Sequence, residues 1–177
     1  MNDSAARLLQ IARPLRRQSG RLVVALYRRG LGRLVANWLL LLTTRGRRSG
    51  RQYTTPIGYV SADPSGLPHP PGAVVYLFRA APGGADWLAN LRAQPAVTVR
   101  IGLHRYHARA SVLRGERQHR QALACYLHRR TLPARAARRA FGLDHARPDE
   151  SIAQAARATQ PVIVALRLDN AALAHGG

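Results

Sequence analysis

The chain is short of acids, has no lysine and carries a single cysteine, and each shortage closes off a class of protein. Cys125 has no partner for an internal disulfide, so packing must hold the fold and a reducing compartment is the default. It stands between Leu123 and Tyr126 in a helical pattern, which reads as a core position rather than a nucleophile's. Eight Asp and Glu residues leave little material for paired-carboxylate hydrolysis. The apolar stretch from Leu22 to Leu42 is broken by Arg28, Arg29 and Arg33, so it falls short of the about 20 apolar residues that a spanning helix needs. No uninterrupted apolar run followed by a small-residue cleavage site marks an export signal, and a cytoplasmic location is expected.

What is abundant is arginine. All 28 basic residues are arginine, giving a formal charge of +20 and a pI near 11.9. With many Ala, Pro and Gly, this composition is what a GC-rich genome imposes and also what an anion-binding protein needs; net charge bears on solubility and attraction, not on fold. At 177 residues and 46% hydrophobic content the chain is the size of one domain with a real core.

The segment from Trp38 to Val60 says most about function. Trp38 to Leu42 reads as a buried strand. Arg45, Gly46, Arg47, Arg48, Ser49, Gly50 and Arg51 then place four guanidiniums around two glycines able to take φ > 0 and expose backbone amides. Guanidinium forks suit phosphate and carboxylate oxygens, so the expected guest carries several negative charges.

Along the chain, the opening through Arg33 reads as basic amphipathic helix broken at Pro14 and near Gly30 and Gly32, with Leu22, Val23, Leu26, Leu31, Leu34 and Val35 at near-helical spacing. Such a segment either packs on the domain or anchors it peripherally to an anionic membrane surface on the cytoplasmic side. Tyr53 to Val60 is a strand in which Pro56 implies an edge or a bulge. Ser61 to Gly72 is a loop, Ala73 to Phe78 a returning strand, and Asp86 is placed to cap a short helix through Arg92 that Gln94-Pro95 ends. Val97, Val99 and Ile101 alternate with Thr98 and Arg100, and Tyr106, Ala108, Ala110 and Val112 with Arg105, His107 and Arg109, which predicts a hairpin around Gly102. Helices follow over Glu116 to Arg130, Pro133 to Phe141 and Asp149 to Ala158, then a strand over Pro161 to Leu168. Short connections make the sheet largely antiparallel, and six strands with helices outside describe a small barrel.

Other chemistries find little support. His104 and His107 fall on opposite faces of a strand, and His119 and His128 on different faces of a helix, so no metal site is expected. Ser49 precedes a strand where a nucleophile elbow requires a helix, and the turn lacks the spacing and following helix of a Walker loop. Basic strands interleaved with Tyr53, Tyr59, Tyr76 and Tyr106 imitate a nucleic-acid stacking groove, but some of these tyrosines face inward and no recognition motif is present, so no nucleic-acid partner is expected. The chemistry is then expected to ride on a bound cofactor.

The order of motifs resembles the deazaflavin (F420)-dependent nitroreductase and quinone reductase family of split β-barrel proteins. It is carried by LLLLTTRGRRSGRQYTTPIGYV at 39–60, VVYLFR at 74–79, GGADWLANL at 83–91, PAVTVRIG at 95–102 and PVIVALRL at 161–168. The resemblance implies an α+β fold, mainly antiparallel β: an FMN-binding-like split barrel over 37–170, preceded by a basic helical segment at 1–36 and followed by a tail at 171–177. It implies a reductase that moves hydride between F420 and an electron-poor small molecule such as a quinone, nitroaromatic, enone or lactone, acting as a homodimer. The coenzyme's phosphate and acidic tail map onto Arg47, Arg48, Ser49, Thr54 and Thr55, with Tyr53 a further cofactor-binding position. Its ring and phosphate side map onto Tyr76, Leu77, Phe78, Arg79, Asp86, Trp87 and Asn90, with Leu88 and Ala89 between them also cofactor-binding. Tyr76 and Tyr126 are the candidate proton donors. Tyr53 stands where many members have a basic residue, and Ala80 and Ala81 where glycines often follow the strand. FMN and haem are alternative cofactors; a noncatalytic carrier of F420, haem or a linear tetrapyrrole is the alternative function, with nucleic-acid or membrane-surface binding behind it.

Overall fold

A computed structural model describes residues 20–63, 66–79, 85–127, 142–144, 146–158 and 162–173. Six strands, β1 (Leu39–Arg45), β2 (Gln52–Ser61), β3 (Val74–Arg79), β4 (Ala96–Ile101), β5 (His104–Val112) and β6 (Val162–Leu173), close in the order β1-β2-β3-β6-β5-β4. Every neighbouring pair is antiparallel. The expected split barrel is therefore the fold, with four α-helices among the described residues outside it: α1 (20–28), α2 (Asp86–Ala93), α3 (Glu116–Leu127) and α4 (Pro148–Ala158). No helix among the described residues is long and apolar enough to cross a membrane.

The period-2 alternation of the strands sorts side chains into two packed layers. Leu40, Leu42, Ile57, Tyr59, Val75, Leu77, Val97, Val99, Ile101, Tyr106, Val164, Leu166 and Leu168 point into the barrel, and Leu88 and Leu91 of α2 join them at the end where β1 turns into β2. The intervening residues Val60, Tyr76 and Ile163 point outward and are covered by Ala122 and Leu123 of α3 and Ile152 and Ala155 of α4. On another wall Tyr27 and Val35 pack over Leu41, tying the segment from α1 onward to β1. Each fully buried leucine here contributes about 1.5–3 kcal/mol.

Several details differ from the sequence expectation. β1 begins at Leu39, because the Trp38 and Leu39 amides donate to Val35 O at 3.1 and 2.9 Å and hold Trp38 in a turn. Pro56 sits in register opposite Leu41 without a bulge, in the part of β2 that β3 has not yet joined, since that pairing begins at Tyr59. It therefore occupies the edge position that a residue lacking an N–H can tolerate. β6 runs to Leu173, past the strand end expected at Leu168. Asp86 does not cap α2: Ala85 is the N-cap, with no side-chain bond, and Asp86 is the first residue of the helix. The helix expected over Pro133 to Phe141, and the end of the one expected to reach Arg130, lie outside the described residues.

Candidate functional site

The turn between β1 and β2 is built by two glycines with different tasks. Gly50 takes φ +66, a left-handed conformation that side chains resist. Gly46 is needed for space: a Cβ there would lie 2.6 Å from Ser49 Oγ and 2.7 Å from the Tyr53 ring. Backbone bonds from the Gly46 amide to Arg51 O and from the Gly50 amide to Gly46 O, both 2.8 Å, close the turn, and Arg45 Nε braces it on Gly50 O at 3.0 Å. Ser49 Oγ accepts the Arg51 amide at 3.3 Å and lies 3.2 Å from the Tyr53 hydroxyl.

Asn90, buried on α2, ties the helix to this turn. Its Oδ1 accepts the Arg47 backbone amide at 3.2 Å and Arg47 Nη1 at 3.3 Å, while its Nδ2 donates to buried Thr44 Oγ1 at 3.5 Å. Arg47 Nη1 also reaches Asp86 Oδ1 at 3.4 Å. The Asp86 side chain is 93% exposed, so this pair is weak and open to competition by a stronger anion. Arg48 and Arg51 have no ion-pair partner among the described residues. The donor set of guanidiniums, hydroxyls and turn amides is that of an anion site.

These groups surround one cavity of about 500 Å³, lined by Thr44, Gly46, Arg47, Arg48, Ser49, Tyr53, Thr55, Asp86, Trp87 and Asn90. A second cleft of about 590 Å³ lies between α1 and β2 and shares Thr55 with the first; Arg21, Arg28, Thr54 and Pro56 line it. Of the residues expected from the sequence, Arg47, Arg48, Ser49, Tyr53, Thr55, Asp86, Trp87 and Asn90 converge. Thr54 faces the other way, bonded to Thr43 at 2.9 Å. Leu88 and Leu77 are barrel core, Ala89 is half-buried on α2, and Arg79 is half-buried at the end of β3.

Tyr76 and Phe78 lie in the layer under α3 and α4, outside the cavity lining. Burial pushes the Tyr76 phenol above its ordinary value, with nearby Cys125 adding to the effect, so it stays protonated across the neutral range. The Tyr126 side chain lies outside the described residues. Thr44 and Gly46 were missed as lining residues; the signal available for them was the TTRG string itself, whose last threonine and glycine flank the charged turn. His104 and His107 are half-buried and exposed respectively, and among the described residues no group of three His, Cys, Asp or Glu gathers.

Fold and site together define an antiparallel barrel enzyme class with a cationic turn opening onto a ring-sized cavity. The sequence profile of the F420H(2)-dependent quinone reductase matches residues 19–131, and the chain belongs to that family. It is an F420-dependent reductase, and F420 is its coenzyme. Among solved structures, the chain is similar to the protein Atu2129 of Agrobacterium tumefaciens, of unknown function, with TM-score 0.51, 16% identity, 83% of this chain and 56% of that one covered. It is similar in fold to a candidate 5-nitroimidazole antibiotic resistance protein of Bacteroides thetaiotaomicron, with TM-score 0.50, 9% identity, 81% of this chain and 80% of that one. A structure described as F420-H2 dependent reductase (FDR-A) matches at 19% identity over 73% of this chain and 93% of that one, with TM-score 0.42. No curated protein matches the chain in sequence.

Proposed function

We propose that the protein reduces an electron-poor organic acceptor of the quinone class, with the coenzyme's anionic part held at the glycine turn. The observation that supports this most is the convergence of Arg47, Arg48 and Ser49 with Trp87 and Tyr53 around a single cavity. Arg48 and the Arg48 and Ser49 amides bind phosphate or carboxylate oxygens; Arg47, positioned by Asn90, adds a second guanidinium once Asp86 yields. Trp87 and Tyr53 provide flat walls for a ring, and Thr44 and Thr55 the polar floor. When bound, F420 supplies hydride from its deazaflavin carbon. The protein's part is to hold coenzyme and acceptor face to face and exclude water, with the accompanying proton coming from solvent at the open mouth. In this reading the active form is a cytoplasmic homodimer.

The test is a fluorescence titration of F420, followed by steady-state oxidation of reduced F420 with menadione, for the wild type and Arg47→Glu/Arg48→Glu. Loss of two charge-assisted contacts should weaken binding by roughly 100-fold or more, with thermal stability unchanged. Unaltered affinity in the double variant overturns the site. Tight binding without quinone turnover overturns the acceptor class and favours a carrier.

A further inference from the structure

The cleft between α1 and β2 is built differently from the coenzyme cavity beside it. β3 joins β2 only from Tyr59 onward, so Thr54, Thr55 and Pro56 have one strand edge that no β-strand covers, and the cleft of about 590 Å³ opens there against α1. Helical geometry decides what lines its other wall. Arg21, Val24, Ala25 and Arg28 follow the spacing i, i+3, i+4, i+7, and at roughly 100° per residue they fall within about 100° of arc on the side toward β2. Seven residues at about 1.5 Å each set the two arginine Cα atoms about 10 Å apart along the axis, with Val24 and Ala25 between them.

This wall is anchored near both ends. A Cβ built on Gly20 would sit 3.6 Å from Pro56 Cγ, ordinary contact, so the helix start rests on the strand. In the last turn Tyr27 is fully buried, and its hydroxyl donates to Leu39 O at 2.8 Å and accepts the Gly102 amide at 3.4 Å. The two arginines, by contrast, spend no charge inside the protein. Arg21 and Arg28 are exposed and have no ion-pair partner among the described residues. No acid borders the cleft, and none stands in the chain between Asp3 and Asp63. Opposite them β2 offers the hydroxyls of Thr54 and Thr55 and the ring of Pro56, which has no amide to donate.

An apolar waist with a guanidinium on either side of it is the complement of a flat molecule that carries an acid group at its rim. A neutral guest would leave both guanidiniums to water, without the charge-assisted bonds that they can make. The coenzyme's acidic tail would use the charge but leave Val24, Ala25 and Pro56 without a partner, and Arg48 and Arg51 already stand unpaired on the turn among the described residues. We infer that the cleft between α1 and β2 receives the electron acceptor and selects acceptors that bear a carboxylate, with Arg21 and Arg28 as the specificity-determining residues. Thr55 borders both the cleft and the coenzyme cavity, so an acceptor lying along α1 has one end beside the coenzyme. Taking the guest to be the acceptor rests on the function proposed above; the preference for an anion follows from the cleft itself.

The experiment separates binding from turnover. Its probes are a 1,4-naphthoquinone with a propanoate side chain and the methyl ester of the same compound, which share a ring and differ in charge. Each is titrated calorimetrically into the full chain loaded with oxidised F420, and then assayed with reduced F420, for the wild type and Arg21→Gln/Arg28→Gln. The wild type should bind the acid at least roughly tenfold more tightly than the ester. The acid's KM should be lower by a similar factor at equal kcat, the mark of a contact made alike in ground and transition states. In the variant the acid should fall to the ester's level, while F420 affinity and melting temperature stay those of the wild type. Equal affinity for acid and ester in the wild type, or binding of neither, overturns the inference. So does a preference that survives both substitutions, because the protein's overall charge then attracts any anion. A variant that binds F420 itself at least roughly tenfold more weakly overturns it too, since the cleft then holds the coenzyme's tail. Charge-selective binding without turnover would uphold the cleft's preference and count instead against the function proposed above.

Discussion

Two flanks of the same barrel receive helices and do opposite things with them. Under α3 and α4 the outward side chains of β2, β3 and β6 meet Leu123, Ile152 and Ala155 in an apolar layer that even swallows Tyr76. At the β1–β2 end, α2 gives Leu88 and Leu91 to the core but spends its next face on Asn90, Asp86 and Trp87, leaving a polar cavity against the turn. The first flank is packed for stability; the second gives up packing to keep donors unspent. Arginine abundance does not distinguish them, since arginines are spread over the whole chain. What distinguishes them is whether a neighbouring helix covers the donors or holds them open.

The contrast breaks most sharply with Leu123→Ala, which empties part of the covered flank. It should cost about 2–5 kcal/mol by chemical denaturation, with F420 affinity of the folded fraction unchanged; a parallel loss of affinity would mean that the flanks are coupled. Asn90→Leu keeps the volume but leaves the part-buried Arg47 amide without its acceptor. A cost of about 1–3 kcal/mol is expected, together with roughly tenfold weaker F420 binding by fluorescence titration, and normal affinity would show that the turn stands without α2.

The smallest effect is alkaline. Burial is the main cause that raises the phenols of Tyr27, Tyr76 and Tyr106 above the ordinary 10.0. The unfolded chain ionises first as pH rises, so stability is flat below about pH 10 and falls as pH passes through the folded-state values. Tyr76→Phe should flatten part of that decline in a melting series across alkaline pH, and an unchanged slope would place the titrating group elsewhere.

Much of this was readable from the order of residues. Alternation at Val97, Val99 and Ile101 marked a strand with one buried face, and the glycines around Arg47 and Arg48 marked a charged turn. Motif strings, however, run consecutively while strands alternate. Thr54 and Thr55 sit together in the string yet only Thr55 reaches the coenzyme cavity, and Tyr76, Leu77 and Phe78 divide between two cores. Asp86 looked like a cap because acids favour helix starts, and it stands instead in the first turn of α2, within reach of Arg47 from a distant turn.

The sequence alone settled where apolar periodicity, glycine and proline must make strands and turns, and that a dense local positive charge would seek an anion, because those preferences act between near neighbours. Which arginine is held and which left free, and which aromatic walls a cavity rather than fills a core, depended on α2 arriving beside a turn more than thirty-five residues earlier in the chain. Hydrogen bonds such as Asn90 to Arg47 exist only once the barrel has closed, since it is the closed barrel that brings their partners within reach.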